Sequence, residues 1–376
     1  MSVVIKEVKS KRDLRRFVQF GIDLYKGNPY YCPPIFSDEM DSFNPKKNPA
    51  FDFSEAVVYL AYRDGKIVGR IAGIINHRAN EAWKVNKCRF GWFDFIDDHE
   101  VFTALLDAVA AWGKSKGMDK LNGPVGFTDM DKEGLLIEGY ERNAPMCSLY
   151  THPYYVAHYE QYGLEKEADW IEYQIIAPKS APERMRRVAD IVAARSKVHV
   201  VKFKSFRELK KRYGYSFFDV FDEAYMHLYN YSPLTERQKK YYTNIYIPLL
   251  NFDFVTAIAN EDDELVGVGV GMPSLSDALR KCGGHLFPIG WIYALKALKA
   301  KKMTDFDLLL IGIRPKYQDK GLNAMIFSEM GYHFADYEIQ RVETTSILET
   351  NKKNQANFAD LEHIQHKRRR AYIKDI

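Results

Sequence analysis

Residues 56–73 and 254–271 of this chain align with each other without a gap. Val57, Ala61, Asp64, Val68, Gly69 and Gly73 recur as Val255, Ala259, Asp262, Val266, Gly267 and Gly271. Each segment runs from an apolar stretch through an acidic turn to a second apolar stretch, which predicts a β-hairpin. Any two hairpins share something, so the order of the elements after each one matters more. The first hairpin leads into a predicted strand over Arg89 to Ile96, a helix over Val101 to Lys116, a strand over Lys120 to Asn122 and a helix over Pro153 to Tyr162. The second leads into a strand over Asp305 to Ile313, a helix over Leu322 to Tyr332, a strand over Arg341 to Ser346 and a helix over Asn351 to Leu361. The repeated order implies an α/β (α+β) chain built from two copies of one unit, each a mixed central sheet flanked by helices.

A length of 376 residues supports two units, each able to bury its own core. The boundary is expected in Ala177-Pro-Lys-Ser-Ala-Pro182, where two prolines and small residues interrupt the periodicity. That gives halves 1–178 and 179–376. A helix over Glu183 to Arg195 opens the second half, and Ser205 to Leu250 reads as helices rich in aromatic residues. The first half holds a long irregular loop, Gly123 to Tyr150, carrying Asp129, Asp131, Glu133 and Glu138. Such a loop is often functional, or it bridges the halves.

The net charge of +4 is too mild to imply nucleic acid. Cys32, Cys88, Cys147 and Cys282 form no close pair, which argues against a metal centre or a disulfide framework and fits a reducing compartment. The N-terminus lacks the apolar core of a signal peptide, and no window approaches the roughly 20 apolar residues that span a bilayer. The expected location is the cytoplasm, with peripheral contact to the inner face of the membrane left open.

Function is most legible from Asp305 onward. The run Leu308 to Ile311 is apolar enough for a sheet centre. A turn over Pro315 to Gly321 comes next, then a helix with Leu322, Met325, Ile326 and Met330 on one face. A strand feeding a helix through such a turn aims free N–H groups and the positive helix end at one spot, suited to phosphate or pyrophosphate. Gln318 and Lys320 add side-chain donors.

At these residues the chain resembles the GNAT superfamily of acyl-coenzyme A dependent N-acyltransferases. The family's pyrophosphate loop, Gln/Arg-x-x-Gly-x-Gly/Ala, stands here as Gln318-Asp319-Lys320-Gly321-Leu322-Asn323-Ala324, with Asn323 in place of the last small residue. The resemblance covers 254–376 well and 50–176 more loosely, so the chain looks like a tandem GNAT protein with a splayed sheet in each half. It implies acetyl-coenzyme A or a longer acyl-coenzyme A as donor co-substrate and no metal. The pantetheine arm would lie along 308–314, where that strand parts from 341–346. A backbone N–H at Gly312 or Ile313, next to Arg314, would polarise the thioester carbonyl. The amides from Asp319 through Lys320, Gly321 and Leu322 to Asn323 would hold the pyrophosphate.

The acid and base are less legible. The family's frequent acid, a tyrosine on the last helix, falls at Phe358, which has no proton to give. The matching helix of the first half carries Tyr159, yet that half has Asp97-Asp98-His99-Glu100 where a phosphate loop belongs. Carboxylates there would repel a diphosphate, so the first half reads as acceptor wall or scaffold. Glu349 is a candidate base or a helix N-terminal acid, and His285 a candidate base or an ordinary loop residue. Asn351 and Asn354 would touch the pantetheine arm, or cap the helix and face solvent.

Between the third and fourth strands of the second half lies Ser274 to Thr304, longer than a hairpin needs. Its apolar, aromatic run from Leu286, with Lys299, Lys301 and Lys302 beside it, reads as peripheral membrane contact through 286–302, as a cover for a long acyl chain, or as a core helix. The run Lys367-Arg-Arg-Arg370 reads as a seeker of phosphate or as a solvated strand end. The expected partner is a small-molecule or lipid amine. A non-catalytic acyl-coenzyme A binding module is the competing reading.

Overall fold

A computed structural model of the chain describes residues 2–179, 182–359 and 361–376. Ser180 and Ala181, inside the expected boundary segment, lie outside the described residues. The first part of the chain forms strand β1 (Val4–Glu7), helices α1 (Lys11–Asp23) and α2 (Phe36–Ser42), the hairpin β2 (Ser54–Arg63) and β3 (Lys66–Asn76), α3 (His77–Trp83), β4 (Lys87–Phe95), α4 (His99–Ser115), β5 (Lys120–Gly123), β6 (Leu135–Glu138), α5 (Tyr155–Gln161) and β7 (Glu165–Ile176). Next come α6 (Glu183–Ser196), β8 (Val198–Val201), α7 (Phe206–Tyr213), α8 (Ser216–Tyr225), α9 (Glu236–Ile245), β9 (Val255–Asn260), β10 (Leu265–Pro273), α10 (Ser276–Cys282) and α11 (Gly290–Leu298). The chain ends with β11 (Asp305–Ile313), α12 (Leu322–Phe334), β12 (Arg341–Thr344), β13 (Ile347–Leu348), α13 (Lys352–Ala356) and β14 (His363–Asp375).

Two compact units result, and they do not follow the halves 1–178 and 179–376. Unit 1 comprises Met1–Ile171, Ser276–Ala294 and His366–Ile376; unit 2 comprises Glu172–Leu275 and Leu295–Gln365. The physical reason is an exchange of terminal strands. The last residues of β7, at the end of the first half, pair with β12 in unit 2, with Arg341 opposite Ile176 and Glu343 opposite Gln174. The last strand of the second half, β14, pairs with β5 in unit 1, with Tyr372 opposite Gly123 and Asp375 opposite Lys120.

In unit 1 the strand order is β1-β2-β3-β4-β5-β14-β7, with β6 beside β14. Helix α4 packs on its centre. Asp98 caps the helix through the Val101 N–H, and Val101, Phe102, Leu105, Leu106 and Val109 recur at helical spacing and are buried. Gly69 lets α4 approach closely: a β-carbon there would sit 2.6 Å from the Leu105 side chain. The basic run 367–370 is neither solvated nor free for phosphate. Arg369 is fully buried, and Arg368 and Arg370 both bond to the Asp169 carboxylate.

In unit 2 the order is β7-β12-β11-β10-β9-β8, with β13 beside β7. Strands β9 and β10 are buried along their whole length. Helix α12 lies on β10 with Leu322, Met325, Ile326 and Met330 inward, the face its spacing predicts. Gly269 makes room for it: a β-carbon there would meet Ile326 at 2.2 Å. None of the four cysteines is in a disulfide.

Candidate functional site

Strand β11 runs parallel to β12 only from Asp305 to Leu308, opposite Arg341 to Thr344. The Thr345 N–H still reaches the Leu308 carbonyl at 3.2 Å, and its hydroxyl donates to Leu309 at 3.0 Å. Beyond this the chain leaves β11, and β13 joins β7 instead. The other edge of β11 stays paired with β10, with Val268 opposite Gly312 and Gly267 opposite Ile313. Antiparallel partners bond at alternate residues. Because the Arg314 N–H donates to Val266, Gly312, two residues back, also spends its bonds on β10. The expected donor at Gly312 therefore gives way to its neighbours: Ile311 and Ile313 present their N–H groups to the open fork. The Gly312 role is different. A β-carbon there would lie 2.8 Å from the Phe221 ring, so this position lets α8 approach β11 closely.

Tyr225, the last residue of α8, closes part of that open edge. Its hydroxyl donates to the Ile311 carbonyl at 2.8 Å and accepts from the Ile311 N–H at 3.3 Å. Burial pushes its pKa up, so the proton stays on at neutral pH. A hydroxyl that serves one donor and one acceptor on the same residue stands where a passing amide would bond. Sequence reasoning missed Tyr225; the only signal was an aromatic-rich helical stretch.

The turn after β11 forms a 3-10 segment, Pro315–Tyr317. Asp319 and Gly321 then take left-handed conformations, φ 60° and 86°. Consecutive turns of this kind point successive N–H groups inward, the geometry of an anion nest. Among the described residues no acceptor meets the backbone N–H of Asp319, Lys320, Gly321, Leu322 or Asn323. They stand at the positive end of α12, whose N-terminus carries no side-chain cap. Gln318 is turned the other way from its expected role: its amide donates to the Ile313 carbonyl at 3.0 Å and braces the turn. Lys320 lies over the Tyr317 ring at 5.0 Å, exposed and near the nest. Arg314 pairs with Glu223 of α8 at 2.8 Å, and Lys353 pairs with Asp319 at 2.6 Å. The nest, the helix end and Lys320 fit a diphosphate, and the β11 edge fits an extended amide arm at Ile313, and at Ile311 where the arm takes the place of the Tyr225 hydroxyl.

The remaining expected residues divide. Asn351 caps α13 by accepting from the Asn354 N–H at 3.1 Å. Asn354 accepts from Asn357 at 3.1 Å, and Asn357 accepts from Asn323 at 2.5 Å, so these amides tie α13 to the start of α12. Glu349 follows β13, and its carbonyl accepts from Gln355 at 2.9 Å. Phe358 is buried against Tyr173 and Phe327. His285 belongs to unit 1, while the nest belongs to unit 2. It is exposed and stacks on Phe36 at 4.6 Å. Tyr159 is a core residue of unit 1, fully buried among Phe90, Phe93, Phe102 and Tyr372, so it faces no substrate. Among the described residues no group of three or more His, Cys, Asp or Glu is gathered as metal ligands.

Unit 1 repeats the fork but fills it. Strand β4 runs parallel to β5 only from Lys87 to Arg89. The Val125 N–H then takes the Phe90 carbonyl at 2.9 Å, and the Tyr155 hydroxyl takes the Phe95 N–H at 3.2 Å. At the start of α4 the anion is built in. The Asp98 carboxylate accepts from Val101 and is clamped by Arg63, which holds its pKa below the usual range. The loop after β5 carries a second perturbed cluster. Burial raises the Asp129 carboxyl to about 8 and Asp131 to about 6, and it raises Glu133 as well.

No family model matches the chain. Protein YghO of Escherichia coli (strain K12) is 29% identical over 383 residues, covering 99% of this chain and 95% of that protein. A bacterial ceramide synthase of Caulobacter vibrioides (strain NA1000 / CB15N) is 26% identical over 355 residues, covering 92% and 90%. Among solved structures, a tandem GNAT protein from the clavulanic acid biosynthesis pathway superposes over 100% of this chain and 98% of its own, at TM-score 0.57 and 10% identity. At that identity the likeness is one of fold.

Proposed function

We propose that the chain, which has the fold of a tandem GNAT protein and resembles a bacterial ceramide synthase, is an acyltransferase whose unit 2 takes an acyl group from a coenzyme A thioester and passes it to an amine. The observation that carries this reading is the open β11 edge leading straight into the free amides of Asp319 to Asn323. The Ile313 amide, with that of Ile311 once the Tyr225 hydroxyl turns from it, binds and orients the extended arm, and the nest holds the diphosphate. An N–H at this edge stabilises the negative charge that develops on the thioester oxygen. The uncharged amine attacks the thioester carbon, the C–S bond breaks, and the thiol leaves with one proton as the amine gives one up. For the thiol's proton we propose Tyr225, whose hydroxyl bonds to Ile311 on this edge of β11. The acceptor we propose is a lipid amine, a direction supported by the relative named as a ceramide synthase, since ceramide is an amide of a long-chain amine.

One observation favours the binding-module reading: Phe358 is a packed core residue with no proton to offer. The two readings separate in one assay. Free thiol released from an acyl-coenzyme A is followed with and without long-chain amines. Amine-dependent release supports transfer; tight donor binding with no release under any amine supports the module.

A further inference from the structure

Helix α11 and its lead-in carry apolar side chains that stand partly or largely exposed among the described residues. Phe287 is 80% exposed and Ile289 59%, and Trp291, Ile292, Tyr293 and Leu295 are each 38–45% exposed. Of the helix, only Gly290 is buried. Scattered exposed hydrophobics are ordinary, but six large ones within nine positions form a patch. The chain just beyond supplies charge of one sign. Lys296, Lys299 and Lys301 are exposed, Lys302 beside them pairs with Glu338, and no Asp or Glu occurs between Asp277 and Asp305.

We propose that α11 docks the protein on an anionic bilayer surface, lying in the interface with Phe287, Ile289 and Trp291 among the upper acyl chains. Among the described residues no helix is long and apolar enough to cross a membrane. An amphipathic segment with aromatic anchors and a basic flank is built for the headgroup boundary. The lysines choose the occupant. A second copy brings its own lysines and no carboxylate from this stretch, whereas anionic headgroups complement the cluster. This surface is independent of the donor site, and vesicle binding is read with no acyl-coenzyme A present.

The test is co-sedimentation of the full chain with phosphatidylcholine vesicles and with vesicles containing phosphatidylglycerol. Binding is expected to the anionic vesicles, weakened by salt. Phe287→Ser combined with Trp291→Ser should abolish it. Lys296→Gln combined with Lys299→Gln should weaken it roughly tenfold or more, with circular dichroism unchanged in both. Failure of the wild-type chain to sediment with anionic vesicles overturns the proposal. So does equal sedimentation of the serine variant, or a wild-type dimer that the serine variant dissociates and that binds no vesicles. Donor binding stands or falls separately in a titration without lipid.

Discussion

The Tyr225 hydroxyl bonds to both the N–H and the C=O of Ile311, at 3.3 and 2.8 Å, on the edge of β11 that β12 has left. A side chain from α8 thus occupies the backbone groups that an extended ligand would use. The same hydroxyl carries a proton at the fork, as does that of Thr345, which donates to the Leu309 carbonyl.

Tyr225→Phe is expected to lower the rate of thiol release by about a hundredfold, at the low end for a lost general acid. Donor affinity should hold or rise, because the Ile311 groups are freed. Stopped-flow thiol detection beside a binding titration reads both. An unchanged rate with raised affinity would make Tyr225 a plug and no more.

The left-handed Gly321, φ 86°, faces Val192 of α6. Gly321→Ala keeps the N–H but forces a β-carbon into that conformation, 3.1 Å from the Val192 side chain. A cost of about 1–2 kcal/mol is expected. The melting temperature should fall by several degrees while donor affinity changes little; loss of both together would show that the turn does not tolerate the methyl group.

In unit 1 the Asp98 carboxylate occupies the N-terminus of α4, where an anion would otherwise bind. The chain should therefore bind one donor, read as the stoichiometry of a calorimetric titration. Asp98→Ala should cost about 1 kcal/mol as a lost cap. Since the folded pKa of Asp98 lies below its ordinary 3.8, its contribution is present above that pH and is lost as the pH falls through the folded value.

Asp129 is shifted in the opposite sense. Its folded pKa of about 8 lies above the ordinary 3.8, so folding favours the protonated acid. Stability from this group is full below pH 3.8 and is lost as pH rises towards about 8. Asp129→Asn should raise the melting temperature by a few degrees at pH 8 and by less at pH 5. Equal shifts at the two pH values would mean that the carboxyl is not held protonated.

The local elements were legible because local patterning makes them. The apolar run gave β11 its observed bounds, Asp305–Ile313, and the periodic face gave α12 its start at Leu322. Helix α13 is shorter than the expected 351–361, since the chain turns at Asn357 and packs Phe358 inward. The exchanged terminal strands were not legible. A strand's sequence encodes its faces, while its partner is set by tertiary register, so β14 with its buried Arg369 looked like a solvated end. In the site, Gly321 and its free amides follow from the turn pattern. The choice of Ile311 over Gly312 depends on alternate bonding with β10, and Tyr225 arrives from a helix some eighty-six positions away in sequence.

The central claim is that the amides from Asp319 to Asn323 hold the diphosphate of a thioester donor. The most direct measurement is a calorimetric titration of acetyl-coenzyme A and a long-chain acyl-coenzyme A into the wild-type chain and into Gly321→Glu, beside thermal melts of both. One saturable site in the wild type is expected, weakened at least a hundredfold by a carboxylate at the nest in a variant that still melts cooperatively. Equal affinity in the two proteins, or no binding to the wild type, would contradict it.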